Sequence, residues 1–428
     1  MEIKHLLALI STILFFGYFI FSKSPRRSYL LFILIFFPFI DLNLTPEEYG
    51  SISVFDFITY FALLFTLEDF LYFLRRNNIY FFLFSVLTGI LFIGCIKSEF
   101  IANSFFNFLK FLSVFIYARM LIAECFKDLR FIKVVIRSLK LSCILSILFL
   151  LIQLILGTSF SFYSELNPNI YLASDTLRYP SFFQDPQKYG QYLSMLGFLF
   201  LMNRENKTTP GILNLMIFIL VVLAIFLTGG RAAFLGLSVG FLIFLLFQSN
   251  KFRIIAFFCC LAGYLILSNL TEHFSIFNRV EDINTSYEVR NEIWDEGLQI
   301  FFEQPLMGIG VGNHHNYILR HSDDGYYIVD DEIVYYGTES GYLQVLIELG
   351  LLGFIFTFLL ILVPVIEGLK SYMHSRNINI AFLIASVISW MIAFITVNSL
   401  GDKRILVALI TVLCLLITSK KSPETIHA

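Results

Sequence analysis

Runs of about 20 apolar residues recur along this chain, and each is long enough to cross roughly 30 Å of hydrocarbon. Thirteen candidate spans are read, near 5–22, 29–46, 52–73, 79–96, 101–123, 139–157, 188–203, 210–228, 231–248, 253–270, 339–363, 379–398 and 404–419. With 57% hydrophobic residues, 51 Phe and only 14% charged residues, no soluble domain could hide the apolar surface. Strict period-2 alternation is absent, which argues against a β-barrel. The fold class is therefore an all-α polytopic membrane protein with about 12–13 transmembrane helices. Residues 6–22 read as a retained first helix, because no small-residue cleavage pattern follows them.

Basic residues set the orientation, because short cytoplasmic loops carry an excess of Lys and Arg. Alternate loops hold Lys23, Arg26 and Arg27; Arg75 and Arg76; Lys127 to Lys140; Arg204 and Lys207; Lys251 and Arg253; Lys370 and Arg376; and Lys420 and Lys421. These loops are assigned to the cytoplasm. The chain then divides into N-terminal helices (1–157), a first outer loop (158–187), central helices (188–270), a large outer loop (271–338), and C-terminal helices with a short cytoplasmic tail (339–428). This count puts the N-terminus outside; a twelve-span arrangement with the N-terminus inside stays open. The net charge of −2 points to no nucleic-acid partner. The six cysteines lie in or beside apolar runs, with no disulfide or zinc spacing.

The large loop concentrates the polar chemistry. It carries thirteen carboxylates and only three arginines, Arg279, Arg290 and Arg320. It contains an amphipathic run from Arg290 to Phe302 and a turn-rich segment, Pro305-Leu-Met-Gly-Ile-Gly-Val-Gly312. A tyrosine-rich end then leads into Glu339-Ser-Gly-Tyr-Leu-Gln344. Three arginines outside the cytoplasmic set stand out: Arg178, Arg231 in the Thr228-Gly-Gly-Arg231 hairpin, and Arg290. A guanidinium is a charged planar fork that fits phosphate oxygens bidentately, so three on one leaflet would clamp a pyrophosphate. The blander alternatives are a salt bridge from Arg178 to Asp175 or Asp185, and one from Arg290 to Glu288 or Glu292. Arg231 has no carboxylate near it in sequence.

Glu339 opens a span and is a candidate general base; its alternative role is to satisfy a helix dipole. Asp185 and Glu348 are lesser candidates. Tyr336 and Tyr342, within a cluster of tyrosines, could stack on sugar rings, although tyrosines also favour membrane interfaces. His314, His315 and His321 lack metal-ligand spacing, and the acidic doublets at 323–324 and 330–332 resemble solvated loop. No metal or cofactor is expected. The segments Phe182-Phe-Gln-Asp-Pro186 and Phe301-Phe-Glu-Gln-Pro305 echo each other over five residues.

Four places resemble the bacterial O-antigen polymerase and ligase superfamily: Arg178 to Gly190, Leu227 to Gly236, Arg290 to Gly312, and Glu339 to Gly353. Ligases of that family usually have His-Asn where this chain has Glu339-Ser340, so the resemblance favours the polymerase branch. It implies a GT-C-like fold in the bacterial inner membrane with the active site facing the periplasm. The implied substrates, donor and acceptor alike, are oligosaccharide repeats on undecaprenyl pyrophosphate, held among membrane lipid. The glycan would pass from one carrier to the next without metal, and a chain-length regulator is an implied partner. Arg231, Arg290 and Glu339 are the expected catalytic residues; Arg178, Asp185, Tyr336 and Tyr342 are expected to bind substrate. The rivals are a glycan ligase and a lipid-linked oligosaccharide transporter.

Overall fold

The computed structural model describes residues 3–45, 51–74, 79–164, 166–167, 170, 177–202, 211–248, 253–254, 283–321, 326–329, 332–335 and 337–419. Among these residues the chain is helical apart from one hairpin. The first nine helices are α1 (Ile3–Ile20), α2 (Pro25–Ile35), α3 (Val54–Leu74), α4 (Ile79–Lys97), α5 (Ile101–Lys127), α6 (Phe131–Leu156), α7 (Pro186–Leu196), α8 (Ile212–Thr228) and α9 (Arg231–Leu246). The large loop contributes α10 (Ile283–Glu303), α11 (His314–His321) and the antiparallel strands β1 (Tyr326–Val329) and β2 (Glu332–Tyr335). The chain then continues through α12 (Gly341–Ser375), α13 (Ile378–Ala393) and α14 (Lys403–Ser419).

Five described helices, α1, α4, α5, α6 and α12, are long and apolar enough to cross a membrane. Shorter apolar helices cover Val54–Leu67, Ile212–Thr228, Arg231–Leu246 and Ile378–Ala393. Side chains such as Leu64, Ile155 and Ile212 stay exposed on the outside of the bundle, as lipid-facing positions must. The expected uniform spans fail in two places. The run at 29–46 breaks after Ile35, where Phe37–Phe39 form a 3₁₀ turn around Pro38; proline disfavours helical backbone at the residue before it. The run at 188–203 is an eleven-residue helix, α7, followed by a 3₁₀ turn over Gly197–Leu201. Its residues from Tyr189 onward are buried within protein, so α7 is an internal helix. The run at 253–270 lies outside the described residues.

Contacts between helix ends divide the bundle into two faces. Arg26 pairs with Glu124 at 2.9 Å, the Tyr372 hydroxyl donates to the Phe247 carbonyl, and the Ser371 hydroxyl to the Ser419 carbonyl, all on the face of the basic loops. At the other face, His5 Nδ1 lies 2.8 Å from the Asn43 carbonyl, Lys403 pairs with Asp56, and Gly341 N–H donates to the Phe394 carbonyl. The start of α1 is thus on the same face as the large loop.

Two sets of glycines allow close approach. On α9, a Cβ at Gly236 would lie 2.4 Å from the Ser389 carbonyl oxygen of α13, and one at Gly240 would lie 2.9 Å from the Ala385 carbonyl oxygen. Small residues let membrane helices pack backbone against backbone. In α12, Gly350 breaks the helix at φ +65°, and the Pro305–Gly310 turn of the large loop enters the break. Leu351 N–H donates to the Pro305 carbonyl at 2.8 Å, while Ile309 and Gly310 N–H donate to the carbonyls of Ile347 and Glu348. The Gly-rich motif read from sequence is therefore the piece that plugs a broken helix. Gly236→Ala is expected to lower the stability of the detergent-solubilised protein by about 1–3 kcal/mol, as overpacking does. A thermal unfolding series checks it.

Candidate active site

Arg290 and Glu339 meet. Arg290 Nε lies 2.6 Å from Glu339 Oε2, with about a third of each side chain exposed. The pairing follows from helical spacing, because Arg290, Trp294 and Gly297 share one face of α10. Trp294 Nε1 donates to the Thr338 carbonyl at 3.1 Å, and Gly297 lies against Leu343 and Ile347 of α12. The pair is therefore built across 49 residues of sequence, and the Glu288 side chain lies outside the described residues.

Glu339 is not the helix-opening acid that the sequence suggests. Ser340 is the N-cap of α12, its side chain accepting from Leu343 N–H, and Glu339 stands one residue outside the helix. Its φ is +45°, a left-handed conformation that costs a non-glycine residue of order 1–3 kcal/mol. The neighbours hold it there: the Thr338 hydroxyl donates to Gln344 Oε1, and Gly341 N–H to the Phe394 carbonyl. The strain turns the carboxylate out of the helix register toward Arg290.

Arg178 is buried, and its Nε donates to the Thr228 carbonyl, the last residue of α8, at 2.6 Å. Gly229 follows at φ +62°, and a Cβ there would sit 2.8 Å from Arg178 Nε. Only glycine fits this corner. Arg178 therefore braces the hairpin whose next turn begins with Arg231, the first residue of α9. The Arg231 side chain is exposed on the same face of the bundle. Asp185 caps α7, accepting from Gln187 N–H at 2.8 Å. Burial pushes its carboxyl up, Lys188 and Arg178 pull it down, and the charge of Glu339 pushes it up. Asp185 thus sits within electrostatic reach of both Arg178 and Glu339, linking the first-loop arginine to the Arg290–Glu339 pair.

The remaining candidates fall elsewhere. The Tyr342 hydroxyl donates to the Met391 carbonyl and its ring stacks on Phe358, so it ties α12 to α13. Tyr336, Asp175 and the doublets at 323–324 and 330–331 lie outside the described residues. Glu348 accepts from Gly312 N–H at 2.8 Å and secures the end of the turn in the α12 break. His321 and Arg320 both sit on Glu99. Burial pushes His314 down to about 3; burial and then Lys188 push His315 down.

Sequence reading missed Arg404. It is wholly buried, with Nη2 at 2.7 Å from Asp402 Oδ2 and 3.1 Å from Asp41 Oδ2, and its guanidinium lies 4.3 Å from the centre of the Phe183 ring. Its Nη1 also donates to the Phe182 carbonyl. The Asp402-Lys-Arg404 triplet was the available signal, but it sits where a span begins and was divided between loop and helix. Removing one partner from such a buried pair costs about 3–5 kcal/mol.

Residues 216–358 match the family model described as O-antigen ligase. The chain carries an O-antigen ligase family domain. The matched stretch runs from α8 into α12 and includes Arg231, Arg290 and Glu339, while Arg178 and Asp185 precede it. No curated protein matches the chain. The match covers a third of the chain and supports O-antigen polymerase or ligase family glycan processing for that stretch.

Burial, and then the charge of Asp402, pushes the Asp41 carboxyl up to about 7. Burial pushes the Asp402 carboxyl up, but Arg404 and Lys188 together pull it below its ordinary value. An acid whose folded pKa is raised contributes stability fully below its unfolded value and loses it as pH rises through the folded value. The melting temperature is expected to fall between about pH 4 and pH 7, and Asp41→Asn to flatten that fall. Melting curves across this range check it.

Proposed function

We propose that this protein polymerises undecaprenyl-pyrophosphate-linked oligosaccharide repeat units at the periplasmic face of the inner membrane, as a metal-independent glycosyltransferase. The observation that carries the reading is the Arg290–Glu339 pair, at 2.6 Å, on the bundle face that also holds Arg178 and Arg231. A guanidinium there meets the pyrophosphate of a donor whose lipid tail lies among the helices. The negative charge that develops on the leaving phosphate is what such a donor stabilises most.

The reaction divides between the two partners. An incoming diphosphate competes with Glu339 for Arg290 and exposes the carboxylate. Glu339 then takes the proton from an acceptor hydroxyl as that oxygen bonds to the anomeric carbon. The bond from the anomeric carbon to the phosphate oxygen breaks, its electron pair leaves with undecaprenyl pyrophosphate, and the configuration inverts. Arg231, on the same face, holds the second phosphate, and Arg178 holds the hairpin that presents it.

The ligase rival is supported by the description of the matched family. Glu339-Ser340, where ligases of the superfamily usually carry His-Asn, favours polymerisation. Deleting the gene separates them: single repeat units on the surface lipid mean lost polymerisation, and long chains stranded on the carrier mean lost ligation.

A partly exposed ion pair contributes only about 0–1 kcal/mol to stability. Arg290→Ala and Glu339→Gln are therefore expected to melt like the parent protein. Loss of a charged group that acts in the transition state is expected to slow polymerisation by about a hundredfold or more. The check is extension of lipid-linked repeats by purified protein in nanodiscs, with and without chelator. Undiminished rates in both variants would remove the proposed chemistry, and loss on chelation would remove metal independence.

A further inference from the structure

Glu348 is a carboxylate that the proposed reaction leaves unused. It stands two residues before the break in α12 at Gly350, and its Oε2 accepts from Gly312 N–H of the large loop at 2.8 Å. Its Oε1 accepts from the side-chain amide of Gln344, one helical turn back on the same face of α12. A carboxylate oxygen accepts, so the NH2 group of Gln344 faces Glu348 and its carbonyl faces the other way. That carbonyl accepts from the buried Thr338 hydroxyl at 2.9 Å. Thr338 is gripped a second time through its own carbonyl, which accepts from Trp294 Nε1 of α10 at 3.1 Å. A continuous series of hydrogen bonds thus joins the Gly-rich turn, through Glu348 and Gln344, to the residue before Glu339.

The setting of Glu339 depends on that residue. Its side chain is about a third exposed and reaches Arg290 from outside the helix, so its backbone aims it more than close packing does. A left-handed backbone at a residue other than glycine persists only where the surroundings over-determine it. The Thr338 hydroxyl has one proton and two acceptors in reach, Gln344 Oε1 at 2.9 Å and the Ser340 carbonyl at 3.1 Å. Bonded to Gln344, it ties the segment before the helix to the first turn of α12. Bonded to Ser340 alone, it closes on its own loop and leaves Glu339 free to relax.

We propose that Gln344 is a positioning residue for Glu339: its amide, oriented by Glu348, holds the Thr338–Glu339 backbone in the conformation that sets the carboxylate on Arg290. Gln344 acts through Thr338 and touches no substrate. Its effect on rate rests on the reading of Glu339 as general base; its effect on the geometry does not.

The test uses the full-length protein in nanodiscs. One readout is the extension of lipid-linked repeats, and the other is acrylamide quenching of tryptophan fluorescence. The chain has two tryptophans, and Trp390 is wholly buried, so quenching reports on the half-buried Trp294 that bonds Thr338. Gln344→Met keeps the length of the side chain and its helix propensity. It is expected to lower kcat by about tenfold to a hundredfold, the effect of misplacing a reacting group by about 1 Å. KM is expected to stay unchanged, and quenching to rise. The double exchange Gln344→Glu with Glu348→Gln rebuilds each bond of the series with donor and acceptor reversed between the two positions. It is expected to return kcat and quenching to near the parent values, which repair of a merely damaged helix would not explain. Parent-like kcat and quenching in Gln344→Met, with Glu339→Gln slow, overturns the role of Gln344. So does a double exchange that recovers neither. Raised quenching in Gln344→Met alongside undiminished extension by Glu339→Gln would sink the general-base reading and leave Gln344 as the residue that sets Glu339.

Discussion

The backbone hydrogen bonds between the Pro305–Gly310 turn and the break in α12 hold the outer half of this protein together. A helix broken at a membrane surface leaves N–H and C=O groups that water does not reach reliably and lipid cannot satisfy. Here the large loop supplies the partners. Leu351 and Leu352 N–H donate to the turn, and the turn returns two N–H groups to Ile347 and Glu348. Gly308 and Gly350 approach so closely that a Cβ on either would lie about 2.5 Å from the other segment's backbone. Once the turn is seated, α10 has one place to lie. That place sets Arg290 on Glu339 and Trp294 on Thr338.

The charges on this face separate into two kinds by their burial. Arg404, Asp402 and Asp41 are enclosed and tie α14, the first outer loop and the loop after α2 into one block. Such a cluster is costly to break and stabilises only while complete. Arg290 and Glu339 are open to solvent over a third of their surface, where an ion pair contributes little to folding. The strained backbone at Glu339 adds cost without a visible stabilising return. That contrast is what makes the pair, and not the buried cluster, the basis of the proposed chemistry. Arg178 lies between the kinds: it is buried like Arg404, yet it braces the corner that carries Arg231.

The candidate residues were legible in the sequence one at a time. Arginine among apolar residues at a membrane mouth is informative because it is expensive, and that isolation singled out Arg178, Arg231 and Arg290. The pairing of Arg290 was not legible, because local spacing offered Glu288 and Glu292 while the structure chose a partner 49 residues away. Arg404 was passed over because it stands where a span begins, and only the folded chain shows how fully it is engaged.

The chain's own order of residues determined the helical class, the alternation of basic loops that divides the two faces, and the stock of cations and carboxylates on the polar one. These follow from hydropathy and the cost of charge in lipid, which act on each segment without knowledge of the others. The tertiary structure alone decided which runs became full-length helices, where α12 breaks, and which carboxylate meets which guanidinium. Those outcomes depend on close packing between segments hundreds of residues apart, where a missing Cβ or one carbonyl in reach selects among arrangements that local preference leaves equal.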